Sequence, residues 1–391
     1  MKTLVCDRFR DHFKRPPELV VRAPGRVNLL GGHIDYNDGW VLPAAIDRSL
    51  WLAAAPRRDA RLHAYSATVE EGGEAALDPP PPPPKIAHRP RERWIEYPTG
   101  VAWALSQDGH ALCGMDAMVV SEIPVGAGLS SSAALEVAFL LAWRELAGLP
   151  LEGAEMARLG ERVENAYLDV HSGVMDQFAS LHGRREHAIF LDCRNLDWEL
   201  LPLPPRVAVL VADTGIRRQL VGGHVNDRQA ECTEALRRLR ELGCEVRALR
   251  DLQSEQLECL ADKLPDSLAR RARHVVEECS RVCRGAQSIR EGGGGEVLGA
   301  LMRASHASSR DLYQVSIPEL DLLAEAASEL EGCFGARLAG AGFGGCVSVL
   351  VEERAAGPVS TGLKKAFSER FGNEPEIHRV GIGDGAEAWN I

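Results

Sequence analysis

Glycines and hydroxyl side chains are concentrated in one short segment, PVGAGLSSSAAL at residues 124–135. Two glycines and three serines there precede an apolar, helix-periodic stretch that ends at Gly148 and Pro150. Glycines let backbone amides approach an anion, and the positive end of the helix dipole faces the same point. The segment therefore predicts a phosphate-binding loop, with a capped turn before an ordinary helix as the simpler alternative.

Other glycine motifs do not explain phosphate binding. The lysine-containing pattern GxxxxGK[ST] occurs nowhere in the 391 residues. A second glycine cluster, AGAGFGG at residues 339–345, is followed by the strand-like run CVSVLV. A dinucleotide-binding loop has the opposite order, since it follows a strand and opens a helix. This cluster is therefore interpreted as a turn where a strand passes close to another backbone or to a ligand.

A third segment, RAPGRVNLLGGHIDYNDG at residues 22–39, places charged side chains among glycine and proline residues. His33 and Asp35 should lie on irregular backbone, where binding residues are often found. Each could instead be a turn residue that is satisfied by its own backbone. The segment is a candidate binding site.

Composition limits the partners of the protein. Its 45 basic and 56 acidic side chains give a formal net charge of −11, which does not attract phosphodiester backbones. Nucleic acid is therefore not an expected partner. Apolar stretches never reach about 18 residues without a charge, so no membrane contact is expected. Ten cysteines without a CxxC pair, and no export signal, predict a cytoplasmic protein. We expect a monomer or a weak oligomer with a small-molecule substrate.

Strand-like and helix-like segments alternate in a way that predicts an α+β fold. In the first half, strand patterns at 40–45 and 117–120 precede a long helix at 131–149. The second half has a charged helix at 226–242, further helices, and a strand at 346–351. A polar, proline-containing stretch near 193–206 predicts two domains, which comprise residues 1–195 and 196–391.

The three motif segments, in this order, resemble the signature motifs of the GHMP small-molecule kinases, and in detail the galactokinase branch. Further similar segments are WIEYPTGV (94–101), SGVMDQFAS (172–180), LDCR (191–194), RARHV (271–275) and SIPELD (316–321). The resemblance covers nearly the whole chain. It implies a two-lobed GHMP kinase fold, with an N-terminal domain of the ribosomal S5 type and a ferredoxin-like C-terminal domain.

The reaction that this resemblance implies is transfer of the γ-phosphoryl group of ATP to the anomeric hydroxyl of a galactose-like sugar. Asp176 matches the catalytic base of the family. Arg26 matches the catalytic arginine, which contacts that base and the transferring phosphoryl group. Such catalysis consists mainly of positioning and charge stabilisation. A surface Arg–Asp pair is the structural alternative.

The resemblance also implies sites for ATP and Mg²⁺. Ser132 and Glu164 match the metal ligands of the family, although Glu164 could instead lie on a solvated helix face. One hydroxyl and one carboxylate suit a Mg²⁺ ion that takes waters and phosphate oxygens as its other ligands. Trp94 is placed near the adenine or in the core. The implied phosphate cradle comprises Gly126, Gly128, Leu129, Ser130, Ser131 and Ser132.

The sugar pocket departs from the family pattern. Gly32 stands where galactokinases have the glutamate that contacts the sugar 6-hydroxyl, and Val225 replaces a pocket tyrosine. Asp35 should still bind ring hydroxyls such as those on C3 and C4. The implied substrate-binding residues are Gly32, His33, Asp35, Gly173, Asp176 and Val225.

The change at Gly32 widens the choice of sugar. It removes a carboxylate that would repel a uronate and that a pentose could not satisfy. Galacturonate and L-arabinose therefore stand as alternatives to galactose, which the overall similarity ranks first.

A non-catalytic sugar and ATP sensor is a further alternative. Sensors that resemble galactokinases lack residues of the Ser-Ala part of the phosphate loop, whereas Ser132 and Ala133 are present here. A mevalonate or homoserine kinase conflicts with the segments HIDYNDG and VMDQF.

Overall fold

The structure is a computed structural model that describes residues 1–84, 94–124, 126–216 and 221–391, without the side chains of residues 221–223. Its helices are α1 (Lys2–Phe13), α2 (Glu96–Gln107), α3 (Ser131–Ala147), α4 (Gly153–Arg162), α5 (Met175–His182), α6 (Val221–Glu241), α7 (Ser254–Ala261), α8 (Asp266–Arg290), α9 (Gly295–Ser308), α10 (Pro318–Ser328) and α11 (Ala356–Phe371). Its strands are β1 (Leu19–Leu30), β2 (Trp40–Arg57), β3 (Arg61–Ser66), β4 (Glu71–Ala76), β5 (Gly114–Ser121), β6 (His187–Asp192), β7 (Trp198–Pro202), β8 (Val207–Asp213), β9 (Cys333–Leu338), β10 (Cys346–Glu352), β11 (Glu376–Val380) and β12 (Glu387–Asn390).

The larger sheet belongs mainly to the first half of the chain. Its main path is β12-β1-β2-β5-β3-β4, and β6 and β7 extend it from β2. The strands pair antiparallel except β3 and β5, which are parallel. The register of β1 against β2 shifts between Pro24 and Arg26. A bulge of this kind redirects the side chain that follows it, and here that side chain is Arg26.

The smaller sheet has the antiparallel order β11-β8-β10-β9. Helices α9 and α10 pack on β9, and α8 packs on β1 and β2 of the larger sheet. A continuous core of buried apolar side chains joins the two sheets and their helices. Helix α8 therefore connects the second half of the chain to the strand that carries Arg26.

Helix α3 positions the predicted phosphate loop, which precedes it in the sequence. It is buried along most of its length, from Ala133 to Trp143, against β1 and β2. Its small alanines let the helix lie close to the sheet. It ends at Ala147 and is capped by Gly148, whose φ of 65° is a left-handed conformation that glycine adopts without strain. The loop before Ser131 is thus attached to a rigid element.

The α+β prediction is confirmed. The predicted strands fall within strands of the structure, and the predicted helices at 131–149 and 226–242 correspond to α3 and α6, which end two residues and one residue earlier than predicted. The division into domains after residue 195 stays a prediction. Strands β7 and β12 follow that position in the chain but pair in the larger sheet. No helix in the described ranges combines the length and the apolar composition that a membrane span requires.

Two glycines let α9 lie directly on β9. A Cβ atom at Gly335 would lie 2.0 Å from the carbonyl oxygen of Gly299, and a Cβ at Gly299 would lie 2.2 Å from the backbone of Phe334. Backbone atoms cannot yield as a flexible side chain can. The helix–strand contact therefore requires residues without a Cβ atom.

We predict that Gly335→Ala lowers the free energy of unfolding by about 1–3 kcal/mol, because helix and strand must separate. Gly357→Ala in α11 is the matched control, since nothing lies within 4 Å of its added Cβ. That variant should be neutral or more stable by about 0.5–1 kcal/mol. Urea unfolding measures both, and equal stabilities would contradict the packing argument.

Candidate active site

Arg26 and Asp176 form a two-point ion pair. The Nε and Nη2 atoms of Arg26 each donate to a different carboxylate oxygen of Asp176, both at 2.7 Å. The side chain of Arg26 is 4% exposed and that of Asp176 is 25% exposed. The guanidinium is therefore fixed in the interior, while the carboxylate still reaches the solvent side where a ligand can approach it.

Secondary structure places this pair beside the phosphate loop. Arg26 follows the bulge in β1, and its Nη1 atom donates to the carbonyl of Gly128 at 2.7 Å. Asp176 lies in the first turn of α5, where the helix dipole favours a negative charge. Gln177 donates to Glu136 of α3 at 2.8 Å, and both side chains are fully buried. The candidate base Asp176, Arg26 and the predicted phosphate loop are therefore held by one set of packed elements.

The predicted phosphate loop has a left-handed backbone at both of its glycines and at Ser130. Gly126 and Gly128 have φ values of 77° and 80°, and Ser130 is left-handed with a φ of 60°. Ser130 also donates from Oγ to Oδ2 of Asp176 at 2.5 Å. Val125 lies outside the described residues. The loop thus leads into the positive end of α3 at Ser131 while touching the candidate base.

Ser132 and Glu164 lie close together, as the metal prediction requires. Ser132 Oγ donates to Glu164 Oε1 at 3.4 Å, and Ser172 Oγ donates to Glu164 Oε2. Glu164 lies in a π-helical turn after α4 and is buried. No group of three or more His, Cys, Asp or Glu side chains arranged to hold a metal occurs among the described residues. This donor set suits Mg²⁺ only when phosphate and water supply the remaining ligands.

Asp35 lies beside Gly173 and within electrostatic reach of Asp176. A Cβ atom at Gly173 would lie 2.6 Å from Cγ of Asp35, so the contact requires glycine. Burial and the charge of Asp176 raise the pKa of Asp35 to about 7, although nearby backbone amides oppose the shift. Two carboxylates in one buried site cannot both ionise without cost.

His33 belongs to a network of hydroxyl groups that the sequence did not reveal. Its Nδ1 atom lies 2.8 Å from Tyr36 Oη, which lies 3.0 Å from Tyr313 Oη. Cys232 of α6 lies 3.2 Å from the same Tyr313 hydroxyl. The ring of His33 is therefore oriented by residues from both halves of the chain. Tyr36 is adjacent to Asp35 in the sequence, but no sequence signal identified Tyr313.

Glu278 holds the loop that contains Gly32. Its Oε1 accepts hydrogen bonds from the amides of Gly31 and Gly32 at 2.8 and 3.2 Å. His274 contacts the Gly32 carbonyl through Nε2 at 3.0 Å. Burial alone would raise the pKa of Glu278, but the charges of Arg281 and Arg337 outweigh it, and the pKa is about 2. Sequence reasoning missed Glu278, whose only signal was a charge in an otherwise helical pattern.

Two predicted site residues lie at the edges of this arrangement. Trp94 is partly buried, and its indole Nε1 donates to the carbonyl of Glu71 at 3.1 Å. Val225 is buried on α6. The next residue, Asn226, accepts a hydrogen bond from the amide of His171 at 3.0 Å. Helix α6 is thereby tied to the loop between Glu164 and Asp176.

Comparison with known proteins identifies this arrangement. The family model described as the galactokinase galactose-binding signature matches residues 7–56, and the GHMP kinase N-terminal and C-terminal models match residues 96–184 and 287–369. The galactokinase of Roseiflexus sp. (strain RS-1) is 42% identical over 97% of this chain and 95% of its own length. The chain belongs to the galactokinase family.

Other relatives agree with this assignment. The galactokinase of Chloroflexus aurantiacus is 38% identical over 96% of this chain and 95% of its own length. The crystal structure of Lactococcus lactis galactokinase complexed with galactose has a TM-score of 0.91 and 32% identity, and the match covers 98% of this chain and 99% of that one. Methanococcus jannaschii mevalonate kinase shares the fold alone, with a TM-score of 0.60 and 17% identity over 95% of this chain and 100% of its own. The predicted family and the two-part GHMP kinase fold are confirmed.

The buried carboxylate of Glu278 generates a stability prediction. We expect Glu278→Gln to destabilise this galactokinase-family protein by about 3–5 kcal/mol, because Arg281 loses its buried partner. Glu277→Gln is the matched control, since Glu277 pairs with the same arginine but is 38% exposed. Its loss should cost less than about 1 kcal/mol.

The contribution of Glu278 to the free energy of unfolding depends on pH with a defined sign. Because folding lowers the pKa of Glu278 from 4.5 to about 2, its stabilising contribution is complete above pH 4.5 and is lost as pH falls through 2. Unfolding free energies measured across this range should converge for the wild type and Glu278→Gln. A constant difference down to the lowest pH would contradict the assignment.

Proposed function

We propose that the protein transfers the γ-phosphoryl group of ATP to the anomeric C1 hydroxyl of galactose, and so forms galactose 1-phosphate and ADP. The observation that carries the proposal is the Asp176 carboxylate, which Arg26 and Ser130 hold beside the phosphate loop. The galactokinases to which the chain is similar support galactose as the acceptor.

Asp176 would be the general base. A carboxylate has about four lone-pair positions. Arg26 uses one on each oxygen, and Ser130 uses a second one on Oδ2. Among the described residues, the remaining position is on Oδ1. We infer that Oδ1 takes the proton of the C1 hydroxyl, whose oxygen then forms the new bond to the γ-phosphorus as the bond to ADP breaks.

Arg26 would act on both reactants. Its contact with Gly128 joins it to the phosphate loop, and its contact with Asp176 joins it to the acceptor. A fixed guanidinium stabilises the negative charge on the transferring phosphoryl group without having to reorganise. Backbone amides of Gly126 to Ser131 and the positive end of α3 would hold the phosphates of ATP.

Ser132 and Glu164 would hold Mg²⁺. Mg²⁺ bound there would neutralise charge on the phosphates of ATP. The hydrogen bond from Ser172 orients the Glu164 carboxylate toward Ser132. We keep Trp94 as a candidate contact of the adenine, and His33, Asp35 and Gly173 as candidate contacts of the sugar, as the family pattern suggests. Val225 stays a candidate sugar contact at the position where the family has a tyrosine.

The competing functions receive less support. The curated relatives and the complex with galactose do not favour galacturonate, L-arabinose or a non-catalytic sensor. All ten cysteines are free, which supports a cytoplasmic location. A monomeric or weakly oligomeric state stays a prediction.

The base assignment predicts that Asp176→Asn lowers kcat for galactose by at least about 10², because the amide cannot accept the hydroxyl proton. The control is Asp262→Asn, an exposed carboxylate at the end of α7, which should keep the wild-type kcat. Coupled ADP release measures both. If Asp176→Asn keeps more than about a tenth of kcat, Asp176 is not the base.

The raised pKa of Asp35 predicts a pH-dependent KM for galactose. Above its pKa of about 7 Asp35 is a carboxylate, which accepts stronger hydrogen bonds from ring hydroxyls than the neutral acid does. The KM should therefore rise about tenfold between pH 8 and pH 6. Asp35→Asn should have a higher KM without this slope. The same slope in that variant would assign the titration to another group.

A further inference from the structure

Arg337 of β9 is a buried guanidinium with few partners. It is 1% exposed, and its Nη1 atom donates to the carbonyl of Asn28 at 2.9 Å. Its Nε atom is buried without a hydrogen-bond partner, and no carboxylate in the described part of the chain forms an ion pair with it. A guanidinium carries five N–H donors, so most of the hydrogen-bonding capacity of Arg337 is unused.

Glu278 is the carboxylate whose charge acts on Arg337, but its oxygens already accept hydrogen bonds from other groups. Its oxygens accept hydrogen bonds from Gly31, Gly32, Ser305 and Arg281. Burial lowers the pKa of Arg337, Glu278 opposes this, and the positive charges of Arg26 and Arg281 add to the lowering. Arg26 and Arg281 have carboxylate partners, whereas Arg337 has none among the described residues, so its unused N–H groups would gain from an added acceptor.

The free end of Arg337 points at Gly32. A Cβ atom built on Gly32 would lie 2.2 Å from Nη2 of Arg337. The guanidinium therefore occupies the space in which any side chain at position 32 would begin. The Gly32 peptide cannot shift freely, because Glu278 binds its N–H and His274 contacts its carbonyl.

This placement puts a positive charge where the galactokinase pattern has a negative one in the predicted sugar pocket. In the galactokinase pattern, a glutamate at position 32 contacts the 6-hydroxyl of the sugar. Here the group nearest to the place of a Cβ atom on residue 32 is the guanidinium of Arg337, a cation that can only donate hydrogen bonds. An oxygen on C6 can accept such a bond. A sugar without that oxygen leaves a buried donor unsatisfied.

We propose that Arg337 recognises the substituent on C6 of the acceptor sugar, and that it selects a sugar with an oxygen on C6 over a sugar without one. This inference rests on the proposed function. It accounts for retention of galactose despite the loss of the glutamate, and it disfavours L-arabinose. A carboxylate on C6 would offer the same acceptor atoms.

The test compares kcat/KM for galactose and for 6-deoxygalactose in the wild type, Arg337→Met and Gly32→Ala. The wild type should prefer galactose by about tenfold or more, as expected when a polar partner is lost from a buried site. Arg337→Met should reduce this preference to about twofold or less, because it removes the donor. Gly32→Ala should also reduce it, because the added Cβ displaces Nη2.

A ratio of two sugars does not depend on the fraction of folded enzyme, and Gly32→Ala serves if Arg337→Met fails to fold. Arg15→Met, which removes a partner of Asp116 outside the site, should keep the wild-type ratio. Lack of galactose phosphorylation by the wild type would refute the proposed function. A galactose kinase without preference for the 6-hydroxyl, or with a preference that survives both site variants, would overturn the role of Arg337 alone.

Discussion

The arrangement of this protein depends on one buried interaction, the two-point pair between Arg26 and Asp176. The two residues are 150 positions apart, yet both hydrogen bonds are 2.7 Å long. Such geometry tolerates little movement of either backbone. Three features hold the two backbones in place: the bulge in β1, the start of α5, and the hydrogen bond from Gln177 of α5 to Glu136 of α3. The phosphate loop joins the same unit through Gly128 and Ser130.

The second half of the chain holds the loop that carries the candidate sugar-binding residues Gly32 and His33. Glu278 and His274 of α8 hold the backbone at Gly32, while Tyr313 reaches His33 through Tyr36. An N-terminal loop is thus positioned by groups that lie more than two hundred residues later in the sequence. Under the proposed function, changes in those groups would alter sugar recognition without changing any residue of the signature motifs.

The acidic side chains of the site differ in the charges that surround them. Asp176 is matched by a guanidinium and a hydroxyl, whereas Asp35 faces Asp176 without a cation at hydrogen-bonding distance among the described residues. Burial, and after it the charge of Asp176, raise the pKa of Asp35 to about 7, and no nearby cation reverses this rise. Glu278 lies deeper, but the cations around it keep it ionised. Burial alone therefore does not decide the ionisation of a carboxylate here; the sign of the neighbouring charges does.

Local pattern determined much of this protein: the α+β class, helix α3 with its glycine stop, the phosphate loop, and through motif resemblance the family and the candidate residues Arg26, Asp176, Ser132 and Glu164. These features depend on residues that are close together in the sequence, so the sequence alone indicates them. Only the tertiary structure placed Glu278 and Arg337 at Gly32 and Tyr313 near His33. The physical reason is that burial and pairing are properties of three-dimensional neighbours. A charged residue on a helix or strand has the same local pattern whether it faces water or a binding site.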